Sequence, residues 1–264
     1  MSRGRRVSLR RYSTFSALTL TLVLFAVASL SAPSIAAHHP SAKSLPLRGR
    51  VIVIDPGHNG ANGAHPSVIN RLVFIVNRYK ACDTTGTQTN SGYTESAFNF
   101  DVAMRLAALL RKDGATVVLA RKNNSGVGPC INERAAIGNQ AHAAAAISIH
   151  GDGGPASGFG FHVIAPANVG PNAAIVAPSH RLAVIVRNDF RTATGEPYAT
   201  YVAHLGLITR SDLGGLNLSK VPKVFIECGN MRNPSDARRM MSTLWRQRAA
   251  VGLEQAFLGY LRVT

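Results

Sequence analysis

The chain has 264 residues and carries 29 Lys and Arg against 13 Asp and Glu, a formal net charge of +16. Five of those charges are Arg within the first 37 residues, which hold no acidic residue, so the remainder still carries +11. Such a basic chain invites a nucleic-acid reading, but no Lys/Arg run with interleaved aromatics follows residue 37, and composition argues against that partner.

Arg3, Arg5, Arg6, Arg10 and Arg11 precede an apolar stretch from Phe15 to Leu30, the charged and hydrophobic regions of an export signal. Ser34-Ile35-Ala36 supplies small residues for cleavage after Ala36 or Ala37. The alternative is an uncleaved anchor, since the apolar run falls slightly short of the roughly 20 residues that span a bilayer. Residues 1–37 are therefore read as the signal, residues 38–49 as a polar leader, and residues 50–264 as one folded domain with a sizeable core.

Val51-Ile52-Val53-Ile54, halted by Asp55-Pro56-Gly57, reads as a strand buried on both faces. A loop-rich stretch follows to about residue 92; within it, Val68 to Val76 fits either a short strand or half a helix. From Thr94, the apolar residues Phe98, Val102, Leu106, Leu109 and Leu110 recur at helical spacing and Gly114 stops them. Thr116–Ala120 reads as a strand, Glu133–His142 as a helix and Ala145–Ile149 as a third strand. Gly160–Ile164 is a fourth strand, Ser179–Thr192 an amphipathic helix, Val224–Ile226 a late core strand and Asp236–Leu261 a closing helix. This alternation predicts an α/β single-domain sandwich, with a mostly parallel or mixed central sheet flanked by helices.

Three cysteines occur in the chain. Cys82 and Cys130 sit in Gly/Thr/Asn-rich loops, whereas Cys228 ends an apolar strand and reads as a buried small hydrophobe. The first two are therefore paired, a crosslink worth roughly 4 kcal/mol in the chain-entropy account.

In open α/β sheets, working residues gather beyond the carboxyl ends of the strands. His58 follows the first strand, His150 ends the third and Glu227 ends the late core strand, while Glu95 opens the helix that leaves the same edge. Two imidazoles and a carboxylate form a hydrolytic zinc set that leaves a fourth tetrahedral position open, and a further carboxylate can serve as base. The separations of 37, 55 and 77 residues match no short local zinc motif, and each residue alone reads as readily as an ordinary polar group.

Longer motifs narrow the choice. Val51 to Gly60 (VIVIDPGHNG), Gly92 to Glu95 (GYTE), Ile147 to Asp152 (ISIHGD) and Val224 to Asn230 (VFIECGN) resemble the four motifs of zinc-dependent N-acetylmuramoyl-L-alanine amidases of the amidase-3 type. The likeness spans residues 50–262, and the segments around Cys130, Gly153 and Arg210 are similar to the small single-domain mycobacterial amidases. The resemblance implies one Zn²⁺ held by His58, Glu95 and His150, with Glu227 catalytic. It also implies cleavage of the amide between N-acetylmuramic acid and L-alanine, and it agrees with the Cys82–Cys130 pairing. Two departures stand out: Val68–Val76 is more apolar than the Gly-rich loop of the family, and Cys228 replaces a common apolar residue.

Weaker candidates remain. His65 and Arg210 are candidate substrate contacts, the first reading more readily as a solvated loop residue and the second alternatively as a residue that solvates a turn. His162 can support a ligand, and Asp55 can fix the turn before His58. The expected partners are peptidoglycan fragments, met as a secreted monomer in the periplasm or cell wall, with no membrane span once the signal is cleaved. A zinc peptidase or deacetylase acting on another wall amide is the rival enzyme reading. A degenerate wall-binding protein is the non-enzymatic one, opposed by the completeness of the ligand set.

Overall fold

The computed structural model describes residues 45–262; the signal expected over residues 1–37 and most of the expected leader lie outside the described residues. The fold includes described residues ahead of Arg50. Leu47 is fully buried and its N–H donates to the Asp113 carbonyl at 2.9 Å, so this apolar residue of the expected leader belongs to the core.

The strands are β1 (Val51–Pro56), β2 (Leu72–Phe74), β3 (Tyr79–Ala81), β4 (Thr116–Leu119), β5 (Ala145–Asp152), β6 (His162–Pro166), β7 (Leu207–Arg210) and β8 (Lys223–Asn230). The α-helices are α1 (Pro66–Ile69), α2 (Glu95–Lys112), α3 (Ile131–Gln140), α4 (Ala173–Thr194), α5 (Gly214–Asn217), α6 (Pro234–Met241) and α7 (Thr243–Arg262). The main sheet has the order β4-β1-β5-β8-β6-β7. The first four of these run parallel, β6 is antiparallel to β8, and β7 is parallel to β6. A mixed α/β sandwich results, in agreement with the expected architecture.

Strand periodicity divides the sheet chemically. One set of alternate residues, including Ile52, Ile54, Ile147, Ile149, Val224, Ile226 and Cys228, is buried in the main core with residues of α2, α4 and α7. The opposite face carries a smaller apolar cluster built on Val53, Ala146 and Val221, with Ile137 of α3 packed against it. The same alternation sends Asp55, Ser148, His150, Phe225, Glu227 and His162 to this second face, where register pairs Asp55 with Ser148, Ser148 with Phe225, and Glu227 with both His150 and His162. One face carries the main aliphatic core and the other a smaller apolar cluster with most of the polar strand residues.

Several elements depart from the sequence expectation. The ambiguous Val68–Val76 segment is both things in turn: its start completes the single turn of α1, and its middle forms β2, which pairs antiparallel with β3. The helix expected from Ser179 begins at Ala173 and runs through Pro178. A single missing backbone donor is outweighed there by an apolar face of Ile175, Leu182, Val186 and Phe190. The closing helix breaks at Ser242, whose backbone is extended and whose hydroxyl accepts from the Trp245 N–H at 3.4 Å, so it starts a second helix.

Helix α2 carries Glu95 into the site and is anchored by Phe98, fully buried with its ring centroid 6.4 Å from that of Trp245 in α7. Phe98→Ala is expected to cost about 3–5 kcal/mol of stability, measurable as a shift in the urea unfolding midpoint.

Candidate metal centre

The site begins with backbone geometry at the end of β1. His58 adopts a left-handed conformation, φ 56°, which a non-glycine residue takes at a cost and which turns its imidazole back over the sheet edge. Gly57 makes the approach possible, since a Cβ there would lie 2.1 Å from Cε1 of His150. On the other side Gly86, φ 73°, leaves room that a Cβ would deny, at 2.6 Å from Glu95 Oε2 and 2.7 Å from His58 Cδ2.

Glu95 reaches the same point from the first turn of α2, whose N-cap Thr94 accepts from the Ala97 N–H. Its Oε1 lies 3.2 Å from His58 Nε2 and 2.9 Å from His150 Nδ1, and the Thr87 N–H donates to its Oε2 at 2.9 Å. Asn99, one helical turn on, ties this helix to the Gly57 carbonyl at 3.1 Å. The two imidazoles meet edge to face with centroids 5.0 Å apart. Phe225 stacks on His150 at 5.2 Å with an interplanar angle of 14°, which fixes the ring.

The donor atoms of His58, Glu95 and His150 lie within 4.8 Å of one another, so this trio can hold a metal ion. Its electrostatics suit a cation. Burial opposes ionisation of Glu95, yet the neighbouring imidazoles hold its carboxyl well below the usual range. Burial likewise opposes charging of His58, but Glu95 and Asp83 push its imidazolium up to about 10.

Glu227 stands across from His150 on β8 and is flanked on the other side by His162 of β6. Its Oε2 is buried without a hydrogen-bond partner, and so is Nδ1 of His162. Burial drives the Glu227 carboxyl well above its ordinary range, with the Glu95 and Asp152 carboxylates adding to the push. Burial takes His162 down to about 4, so it is neutral at pH 7. Beside the trio lies a cavity of about 170 Å³, walled in part by Ile131, Leu213, Gly214 and Phe225.

Among the weaker sequence candidates, Asp55 lines the cavity and His162 flanks Glu227, while Arg210 is near enough to act electrostatically on both Glu227 and His162. His65 is exposed between a 3-10 turn at Asn62–Ala64 and α1, and does not line the cavity. Arg210 spends its guanidinium on Asp212 in a bidentate pair at 2.8 and 2.7 Å. Asp212, not Arg210, lines the cavity. Cys82 and Cys130 are joined by a disulfide, and Cys228 is free and buried.

Sequence reasoning missed the groups behind the trio. Asp83 approaches His58 Nδ1 at 3.2 Å, and Arg134 bonds Asp55, Asp83, Asn59 and the carbonyls of Pro56 and His58. Asp55 also accepts from Ser148 at 2.7 Å and pairs with Lys223 at 3.1 Å. The available signals were a carboxylate adjoining a half-cystine and a lysine opening an apolar strand, both too common to be decisive.

The fold and donor set define an α/β chain with a candidate mononuclear metal centre open to a pocket. A sequence profile of the N-acetylmuramoyl-L-alanine amidase family matches residues 52–257. The chain is 42% identical over 221 residues to the N-acetylmuramoyl-L-alanine amidase Rv3717 of Mycobacterium tuberculosis, covering 84% of this chain and 90% of that one. Its fold matches the crystal structure of the N-acetylmuramyl-L-alanine amidase Ami1 from Mycobacterium smegmatis with a TM-score of 0.78 and 40% identity, over 83% of this chain and 99% of the other. Ami1 from Mycobacterium abscessus matches with a TM-score of 0.77 and 41% identity, over 81% and 100%. The chain belongs to the N-acetylmuramoyl-L-alanine amidase family.

The buried cations beneath the site carry a stability consequence. Burial opposes ionisation of Asp55, but Lys223 and Arg134 hold its carboxyl far below the usual range. Its contribution is therefore complete above about pH 4, where the unfolded chain is ionised as well, and declines as the pH falls further. Lys223→Met is expected to cost about 3 kcal/mol at pH 7 by urea denaturation, with the deficit shrinking at low pH.

Proposed function

We propose that the chain is a zinc-dependent N-acetylmuramoyl-L-alanine amidase of peptidoglycan in which His58, Glu95 and His150 hold the metal and Glu227 is the catalytic carboxylate. The observation that carries this reading is the convergence of three donors on one point, with a buried carboxylate oxygen of Glu227 left unpartnered on the neighbouring strand. Zinc suits two imidazoles and a carboxylate, and when bound it supplies Lewis acidity toward a carbonyl and lowers the pKa of water to about 7.

The remaining work belongs to the chain. His58 offers Nε2, His150 offers Nδ1 and Glu95 offers Oε1, the atoms that face one another. The cavity beside them receives the muramyl peptide with its scissile amide toward the trio. Glu227 accepts a proton from the attacking water at Oε2 and returns it to the departing nitrogen of L-alanine, for which a raised proton affinity is the right property.

Residues 1–37 direct export and are removed, and the domain acts as a monomer in the periplasm or cell wall. A disulfide supports an oxidising location. Among the described residues, no helix is long and apolar enough to cross a membrane.

Glu227→Ala is expected to keep its zinc by elemental analysis while turnover falls about 10²- to 10⁴-fold. Digestion of muramyl tripeptide with and without a chelator, followed by mass spectrometry, tests the bond: a free stem peptide beginning with L-alanine, abolished by the chelator, is the expected product. Release of any other fragment would favour the rival wall peptidase or deacetylase.

A further inference from the structure

The two imidazoles of the metal site are held in different ways. His150 is fixed by a stacked ring, whereas His58 is fixed by hydrogen bonds at the nitrogen remote from Glu95. His58 Nδ1 faces Asp83 Oδ1 at 3.2 Å and the Thr84 carbonyl at 3.0 Å. These two only accept, and the Thr84 hydroxyl at 3.3 Å can accept as well, so in a neutral imidazole the hydrogen belongs on Nδ1 and the lone pair on Nε2, the atom 3.2 Å from Glu95 Oε1.

The Asp83 carboxylate cannot swing away. Its Oδ2 accepts from Asn59 at 2.8 Å and from Arg134 at 3.1 Å, and its Oδ1 also accepts from the Thr84 N–H at 2.8 Å. Covalent structure enforces the same placement: Asp83 follows Cys82, whose disulfide partner Cys130 caps the helix that carries Arg134. The Ile131 N–H adds a bond to the Cys82 carbonyl at 2.8 Å. Neither the carboxylate nor the cation that locks it belongs to a segment carrying a metal donor.

We propose that Asp83 is a positioning residue of the metal centre, setting the tautomer and orientation of His58 so that Nε2 is presented to the metal, with the Cys82–Cys130 bridge holding Asp83 in place. This rests on the zinc reading of the trio. Partners of this kind typically change metal affinity 10- to 100-fold.

Asparagine at this position distinguishes a tautomer-setting role from a merely structural one. Arg134 and Asn59 both donate to the Oδ2 side, two donors against the single Thr84 N–H on the Oδ1 side, so an amide would keep its oxygen toward the pair and turn its nitrogen toward His58. That donor facing Nδ1 favours the tautomer with its hydrogen on Nε2, which blocks the metal. Alanine removes the carboxylate yet leaves the Thr84 carbonyl to accept from Nδ1.

The experiment measures the zinc dissociation constant of the full chain by competition with a chromophoric chelator, with the melting temperature of each metal-free protein recorded alongside. Asp83→Asn is expected to bind zinc at least about 10-fold more weakly than wild type, and more weakly than Asp83→Ala. A merely structural role predicts that the larger truncation to alanine lowers the melting temperature most while zinc affinity is unaffected in both variants. Wild-type affinity in a folded Asp83→Asn variant overturns the proposal. Should that variant fail to fold, the double variant Cys82→Ala/Cys130→Ala retains the carboxylate but frees its segment. It is expected to bind zinc several-fold more weakly, and unchanged affinity there overturns the proposal equally. Absence of zinc binding in the wild type would refute the metal reading itself.

Discussion

The ion pairs at Asp55 are the constraint from which the site is built. This carboxylate is 2% exposed and sits where β1, β5 and β8 run side by side, taking Ser148 from one neighbour and Lys223 from the next strand but one, with Arg134 descending from α3. A buried ion of this kind is costly to desolvate and is tolerated only when fully satisfied. Satisfying it fixes strand register at the edge where His58 and His150 project, and it brings Arg134 within reach of the His58 carbonyl. The polar cluster thus contributes geometry more than net stability. The opposite face of the same strands, packed with aliphatic side chains against α2, α4 and α7, supplies the burial that pays for it.

The division between faces explains how much could be read in advance. Runs such as Val51–Ile54 and the helical spacing of Phe98 to Leu110 announce their elements because burial demands them, and they placed His58, His150 and Glu227 at one edge. Glu95 was visible as a helix-start residue, and motif resemblance rather than spacing made it a candidate ligand. The disulfide was legible because both cysteines sit in loops.

What stayed hidden depends on tertiary geometry. Asp83 and Arg134 lie 25 and 76 residues from His58, and nothing local marks them as its support. Strand β7 is short and half-exposed, so it leaves no periodic signature. The boundaries of α4, α6 and α7 turned on whether one proline or one serine would win against an apolar face, a contest between a local signal worth about 1 to 3 kcal/mol and packing whose strength the sequence does not display.

The disulfide also bears on how the centre assembles. His58 and His150 are 92 residues apart along the chain, yet the Cys82–Cys130 bridge offers a shorter route of about 45 residues between them. Loop closure grows only logarithmically with length, so halving the path spares about 0.6 kcal/mol when the two imidazoles first meet. Glu95 lies inside the closed ring while both histidines lie outside it, one on each flank. In the oxidised chain, bringing the three donors together is therefore a matter of folding two short arms onto one ring.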